Sequence, residues 1–394
     1  MPSARSVALR SFSLDGALHV ETEGTTSAPR RHESVDVLRG IAVAAMVIVN
    51  NPGSWTDGYP FLAHSEWDGC TLADLVFPLF LFVVGISITL SVGARRDRGE
   101  TAMTIAPGIV RRAALLFVLG LLLNGFPHFD LATLRIPGVL QRIALCYLFS
   151  ALLVMNTTTK GQGVVALSLL AAYWMLMTRA PVPGYGAGVL DEQGNLAGYL
   201  DDLVLRGHLY HEGFDPEGIL STMPAVATTL FGVLAGRWMT SPRSVSARWL
   251  GLVTAGGLAL VAGTVMDPWL PINKPLWSSS FAVFTAGAAA VSYGLCYWLI
   301  DVKGVRRWAA PFFALGTNAL AAYALTSFVG SLLEFIHVRS GPGMSDGLRL
   351  YLFEHLFLPW AGSQGGSLCF AVAYLMTWLW AMTLLYRRRI FIRI

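Results

Sequence analysis

Between Leu62 and Pro78 the chain gathers an imidazole (His64), three carboxylates (Glu66, Asp68 and Asp74) and an indole (Trp67). These are side chains that move protons or attack carbonyl carbons. Asp74 stands inside an apolar run, where a carboxylate is costly and signals a partner or a purpose. Pro78, one turn later, would kink a helix and free a backbone carbonyl. Two other groups stand out. Asp36 and Arg39, at i and i+3, can pair at a helix start. Gln141 and Arg142 fall within an apolar segment and should face a polar cavity. Each has a plainer reading: Asp36 and Arg39 also fit a helix cap with a snorkelling arginine. His208 and His211 have the spacing of a metal pair but no supporting ligand pattern, so surface histidines are expected and no metal. No phosphate-binding loop, dinucleotide fingerprint or zinc-protease motif occurs, and nothing points to nucleic acid.

The elements that must position these groups follow from composition. Of 394 residues 54% are hydrophobic and 13% charged, against about 25% charged in soluble domains; the mean hydropathy is +0.56. Soluble, disordered and fibrous chains are excluded. Long uninterrupted apolar runs, not alternating ten-residue segments, make the spans helices and not a barrel. The expected fold is all-α, with about ten transmembrane helices near 37–51, 71–92, 109–125, 136–155, 164–178, 219–239, 249–266, 279–300, 308–337 and 367–386. Residues 351–360 are too short to cross and read as interfacial or re-entrant. Residues 1–33 read as a flexible cytoplasmic tail and 34–394 as one membrane domain with an outer loop near 179–218. With the N-terminus cytoplasmic, 21 of the 28 Lys and Arg fall inside. Ten spans also return Arg387–Arg389 to the cytoplasm, as the positive-inside rule asks. The outer face then collects acids and most of the histidines. The four cysteines show no disulfide or zinc spacing.

The runs SVDVLRGIAV, VNNPG, HSEWDGCTLADLVFPLFLFVVG, RIPGVLQRIA, FDPEGILST, PINKPLWSSSF, GTNALAAY and YRRRIFIRI resemble, in order, the transmembrane acyltransferases typified by heparan-α-glucosaminide N-acetyltransferase. The resemblance implies transfer of an acetyl group from cytoplasmic acetyl-CoA to the amine of an aminosugar on the outer face. It also implies a homodimer in a lipid bilayer; bacterial relatives point to the inner (plasma) membrane. The family's active-site histidine maps onto His64, and its asparagine onto Asn50 or the adjacent Asn51. Where the lysosomal enzyme has a histidine after Tyr323, this chain has Thr326.

Imidazole then serves as general base, or as a nucleophile that carries the acetyl group. Asn50 would donate to the oxyanion, and Asp68 or Asp74 would hold the tautomer or the acceptor ammonium. Arg95, Arg96, Arg98, Arg111 and Arg112 could grip the phosphates of the donor or simply follow the positive-inside rule. Arg39, Gln141 and Arg142 are expected along the donor channel. Trp67, Asp215, Glu217, Lys274 and Trp277 are expected at the sugar, as hydrogen-bonding groups, counter-charge and stacking faces; Asp215–Gly218 also reads as a helix N-cap. A transporter of N-acetylglucosamine or a related sugar is the alternative function, compatible with Asp74, Arg142 and the Gly and Pro residues in the spans.

Overall fold

A computed structural model of the chain describes residues 33–341 and 344–392. The expected tail lies, but for Glu33, outside the described residues. The helices are α1 (Glu33–Asn50), α2 (Leu72–Ile88), α3 (Ala94–Asp97), α4 (Ala102–Gly125), α5 (Val139–Asn156), α6 (Thr159–Arg179), α7 (Leu196–Leu205), α8 (Thr222–Met239), α9 (Val245–Met266), α10 (Ser279–Tyr297), α11 (Ala310–Thr317), α12 (Ala319–Phe335), α13 (Leu348–Leu352) and α14 (Leu358–Arg387). Two antiparallel hairpins complete the structure: β1 (Pro181–Val182) with β2 (Gly186–Ala187), and β3 (His337–Gly341) with β4 (Met344–Gly347).

Among the described residues, seven helices are long and apolar enough to cross a membrane: Leu72–Arg96, α4, α5, α6, α9, Ser279–Val302 and Leu348–Arg387. An eighth is the pair Arg307–Thr317 and Ala319–Phe335 if that pair, bent by 77°, is one span. The other two expected segments are helices as well, α1 and α8, but they do not reach that apolarity. α1 carries Glu33, Asp36 and Arg39, and α8 carries threonines and Arg237. Both are interior: α8 packs against α2, α6, α5 and α10, and thirteen of its 18 residues are buried. α9 is the reverse, with only Leu252, Gly256 and Gly263 buried. Its Leu258, Val261 and Val265 lie open, as lipid-facing residues should. The segment 351–360 is helical and is set apart by a kink from the longer helix that follows it. It forms the first turns of the Leu348–Arg387 run, whose helical geometry breaks at Gly362 (φ 69°).

The central contact is α2 on α8. It is close because Gly85 and Gly232 present no side chain: a Cβ on Gly85 would stand 2.0 Å from the Thr229 carbonyl oxygen, and one on Gly232 2.0 Å from that of Phe82. Small residues of this kind let transmembrane backbones approach. Gly232→Val must push the helices apart and should lower stability by at least the 1–3 kcal/mol typical of overpacking. The apparent Tm of the solubilised protein checks this, and an unchanged Tm contradicts it.

Candidate active site

α2 begins with a reciprocal cap. Thr71 is the N-cap, and Asp74, three residues on, returns a carboxylate oxygen to the Thr71 backbone N–H at 2.9 Å. The same Asp74 Oδ2 accepts from Thr71 Oγ1 (3.1 Å), Ser65 N (3.1 Å) and Ser65 Oγ (3.0 Å). Asp74 is fully buried. Its Oδ1 accepts from His64 Nδ1 at 2.7 Å. Because a carboxylate accepts only, the proton belongs on Nδ1 and the lone pair on Nε2. The carboxylate that the sequence places in an apolar run is thus in the first turn of α2, fixing both the loop before it and the imidazole.

Lys274 reaches the same point from the loop between α9 and α10. Its Nζ lies 3.0 Å from His64 Nε2, 2.9 Å from Nδ1 and 3.5 Å from Asp74 Oδ1. Asp68 makes this approach possible, and it does not touch the imidazole. Asn273 Nδ2 donates to Asp68 Oδ1 (3.1 Å), and Gly69 N donates to the Ile272 carbonyl (2.7 Å). These bonds clip the two loops together. Burial lowers the Lys274 pKa, against the opposing charges of Asp74 and Glu217. Cys70, beside them, is no nucleophile at neutral pH: burial and the Asp74 charge push its thiol up to about 12.

His64 opens onto a cavity of about 160 Å³ between the end of α1 and α14, walled by Val49, Pro52, Trp55, Leu62 and Leu368. Asn50, next to Val49, is exposed at the helix end. Asn51 is buried and donates to the Val47 carbonyl at 3.0 Å. Thr326 is buried and bonds back to the Tyr323 carbonyl.

A second charged group forms around Arg135. Its guanidinium donates from Nε and Nη2 to the two Asp215 oxygens (2.9 and 2.7 Å) and to Glu217 Oε2 (2.6 Å), and it covers the Tyr210 ring at 4.5 Å. Arg135 was not among the expected site residues. Its only signals were its place at the head of RIPGVLQRIA and on the outer side. Asp215 is fully buried and also takes the Tyr210 and Glu217 N–H groups. The N-cap reading of Asp215 fails, since the residue before α8 is Ser221. Asp215 orders the loop, and Glu217 is the carboxylate whose charge reaches Lys274.

Arg142 belongs with this group and not with the other expected donor-binding residues. It donates to Ser221 Oγ and to the Gly218 carbonyl, and it lies 5.1 Å over Trp277. Gln141 is buried beside it, with no hydrogen-bond partner for its amide among the described residues. Arg39 holds Asp36 (2.7 Å) and Ser87 Oγ (2.7 Å) where α1 meets α2. Arg111 and Arg112 lie exposed on α4, Arg112 over the Tyr147 ring.

Trp277 is 1% exposed among Phe77 and Phe281, so it offers no face to a sugar; its aromatic bulk serves the core. Trp67 is half-buried, edge-on to Phe214, and donates to the Leu190 carbonyl at 3.0 Å, tying the His64 loop to the outer loop. His208 bonds to the Leu134 carbonyl and His211 lies against Tyr210.

A bundle of apolar helices holding an Asp–His–Lys constellation at one helix start defines a membrane-embedded protein with an ordered imidazole beside an apolar cavity. A family model described as heparan-alpha-glucosaminide N-acetyltransferase, catalytic, matches residues 31–264, and the chain belongs to this family. It is 31% identical over 372 residues to the human heparan-alpha-glucosaminide N-acetyltransferase, covering 80% of this chain and 55% of the human one. To the mouse protein of that name it is 30% identical over 361 residues, covering 77% and 54%. The chain thus spans about half the length of the curated relatives it matches.

Asp201 supplies a pH test. It is buried, with Oδ1 accepting from Ile219 N (2.8 Å) and Oδ2 without a partner among the described residues. Burial, helped by the Asp215 charge, raises its pKa to about 6. A folded-state pKa above the unfolded one favours the native state at low pH, and that contribution is lost as pH rises through the folded value. Asp201→Asn should therefore flatten the fall in Tm between about pH 4 and 6, and match or exceed the parent at pH 8. An identical pH profile would count against it.

Proposed function

We propose that this chain is an N-acetyltransferase that moves the acetyl group of acetyl-CoA to the amine of an aminosugar or glycan, with His64 as the base. The observation that carries this reading is the Asp74–His64–Lys274 contact beside an apolar cavity, in a chain of this family. Asp74 keeps the proton on Nδ1, so Nε2 takes a proton from the acceptor ammonium and frees the amine lone pair. The amine nitrogen bonds to the thioester carbonyl carbon, the C–S bond breaks, and the leaving thiolate takes the second proton released from nitrogen. Lys274, in reach of Nε2, is the next station for the proton. The Asn50 amide stands for the donor to the oxyanion, and Glu217 for the counter-charge to the acceptor.

The finer setting is part of the same proposal. Ten spans, with both ends of residues 34–394 cytoplasmic, are supported by the 21 of 28 bases that this topology gathers on one side. The donor then approaches from the cytoplasm, and His64 works at the outer face of a plasma membrane, in a homodimer. The relatives carry a transferase name, and a sugar transporter finds no support among them.

Purified protein with labelled acetyl-CoA and a panel of aminosugars tests this reading. The parent should release acetylated sugar, and His64→Ala should lose at least the 10²–10⁴-fold typical of a lost general base while remaining folded at the assay temperature. Lys274→Met should lower kcat by a smaller factor. Full activity of His64→Ala would sink the assignment, and label retained on His64 would make the imidazole a nucleophile and not a base.

A further inference from the structure

At the far end of α2 from Asp74, a second cavity, of about 430 Å³, opens among Arg96, Arg237, Asn156, Thr157, Thr158 and Thr159. Nineteen residue steps along the helix from Asp74 to Gly93 put it roughly 30 Å from the imidazole. Its lining holds two guanidinium groups and no carboxylate. The neighbouring arginines are differently engaged: Arg95 and Arg98 both pair with Glu100. Arg96 leans on the Val154 carbonyl through one nitrogen, at 3.2 Å, which leaves the rest of an exposed fork available. Arg237 Nε is buried and has no hydrogen-bond partner among the described residues. That group is costly to leave unpaired. Its guanidinium lies over Gly93, where a Cβ would be 3.6 Å from Nη1. The third component is the start of the 21-residue α6: its cap, Thr158, and its first residue, Thr159, both line the cavity. A helix start adds unpaired N–H groups and positive potential to the two forks.

We propose that this cavity is a binding site for a phosphate group, held bidentately by Arg96 and Arg237, with the Thr158 and Thr159 hydroxyls and the α6 start completing the cradle. Planar forks at two sides and hydroxyls at a third match a tetrahedral oxyanion better than a carboxylate. The phosphate comes either from the headgroup of an anionic lipid or from a soluble molecule. A soluble occupant includes the phosphates of the donor, for which Arg96 is one of the expected partners; phosphate binding here is read without the transfer reaction and stands whether or not that reading holds.

The test uses the full chain in two arms. In detergent, inorganic pyrophosphate is titrated. In nanodiscs, phosphatidylcholine alone is compared with phosphatidylcholine containing phosphatidic acid. Saturating ligand should raise the Tm by about 2 °C or more. Stabilisation by pyrophosphate assigns a soluble phosphate, and stabilisation by phosphatidic acid alone assigns a headgroup; both support the site. Arg96→Gln, on an exposed side chain, should weaken binding about tenfold, Arg237→Lys should weaken it less, and the double variant Arg96→Gln with Arg237→Gln should abolish the shift. No stabilisation in either arm, or a response that survives Arg96→Gln unweakened, overturns the proposal.

Discussion

The Asp74 carboxylate is the interaction on which the site depends. One buried group caps α2, pins Ser65 and Thr71, orients His64 and lies within ion-pair reach of Lys274. A charge in that position is tolerable only when every lone pair is used, and here each partner is also a piece of the site. The cost of burying the carboxylate therefore enforces the geometry: any loosening of the His64 loop would leave an anion unsatisfied in an apolar surround.

Around that carboxylate the structure brings together segments distant in the chain. His64 and Lys274 are separated by 210 positions, and the clip between Asp68 and Asn273 brings them into register. Arg135, Asp215 and Glu217 perform a similar joining on the neighbouring loops. The two groups are electrostatically linked, since the Glu217 charge acts on Lys274. Loops are usually the least fixed parts of a helical membrane protein. Here charge-assisted hydrogen bonds, which are about twice as strong as neutral ones, hold them.

Much of this was legible in the sequence, for identifiable reasons. Asp74 announced itself because a carboxylate in an apolar run is expensive, and the helix boundaries followed from hydropathy. Roles that depend on long-range contacts were not legible. Asp68 and Asp74 are alike as residues, and only the fold makes one a clip and the other the partner of His64. Trp277 looked like a stacking face because an indole in the core and an indole at a sugar have the same signature in one sequence. Arg135 hid among the few bases on its side, since nothing in spacing tells a clamp from a scattered charge. α1 and α8 were legible as helices, yet their interior position follows from packing, which allows them to be more polar than a lipid-facing helix.

The seclusion of α8 has a consequence for what its surroundings must supply. A helix bearing threonines and an arginine gains little by entering lipid alone, whereas α9, joined to it by the short turn at Ser241–Ser244, is apolar over most of its surface. The two neighbours thus rely on different surroundings, α9 on an apolar exterior and α8 on enclosure by α2, α5, α6 and α10. α8 therefore depends on those four helices for a place where its polar groups are matched, and α9 does not.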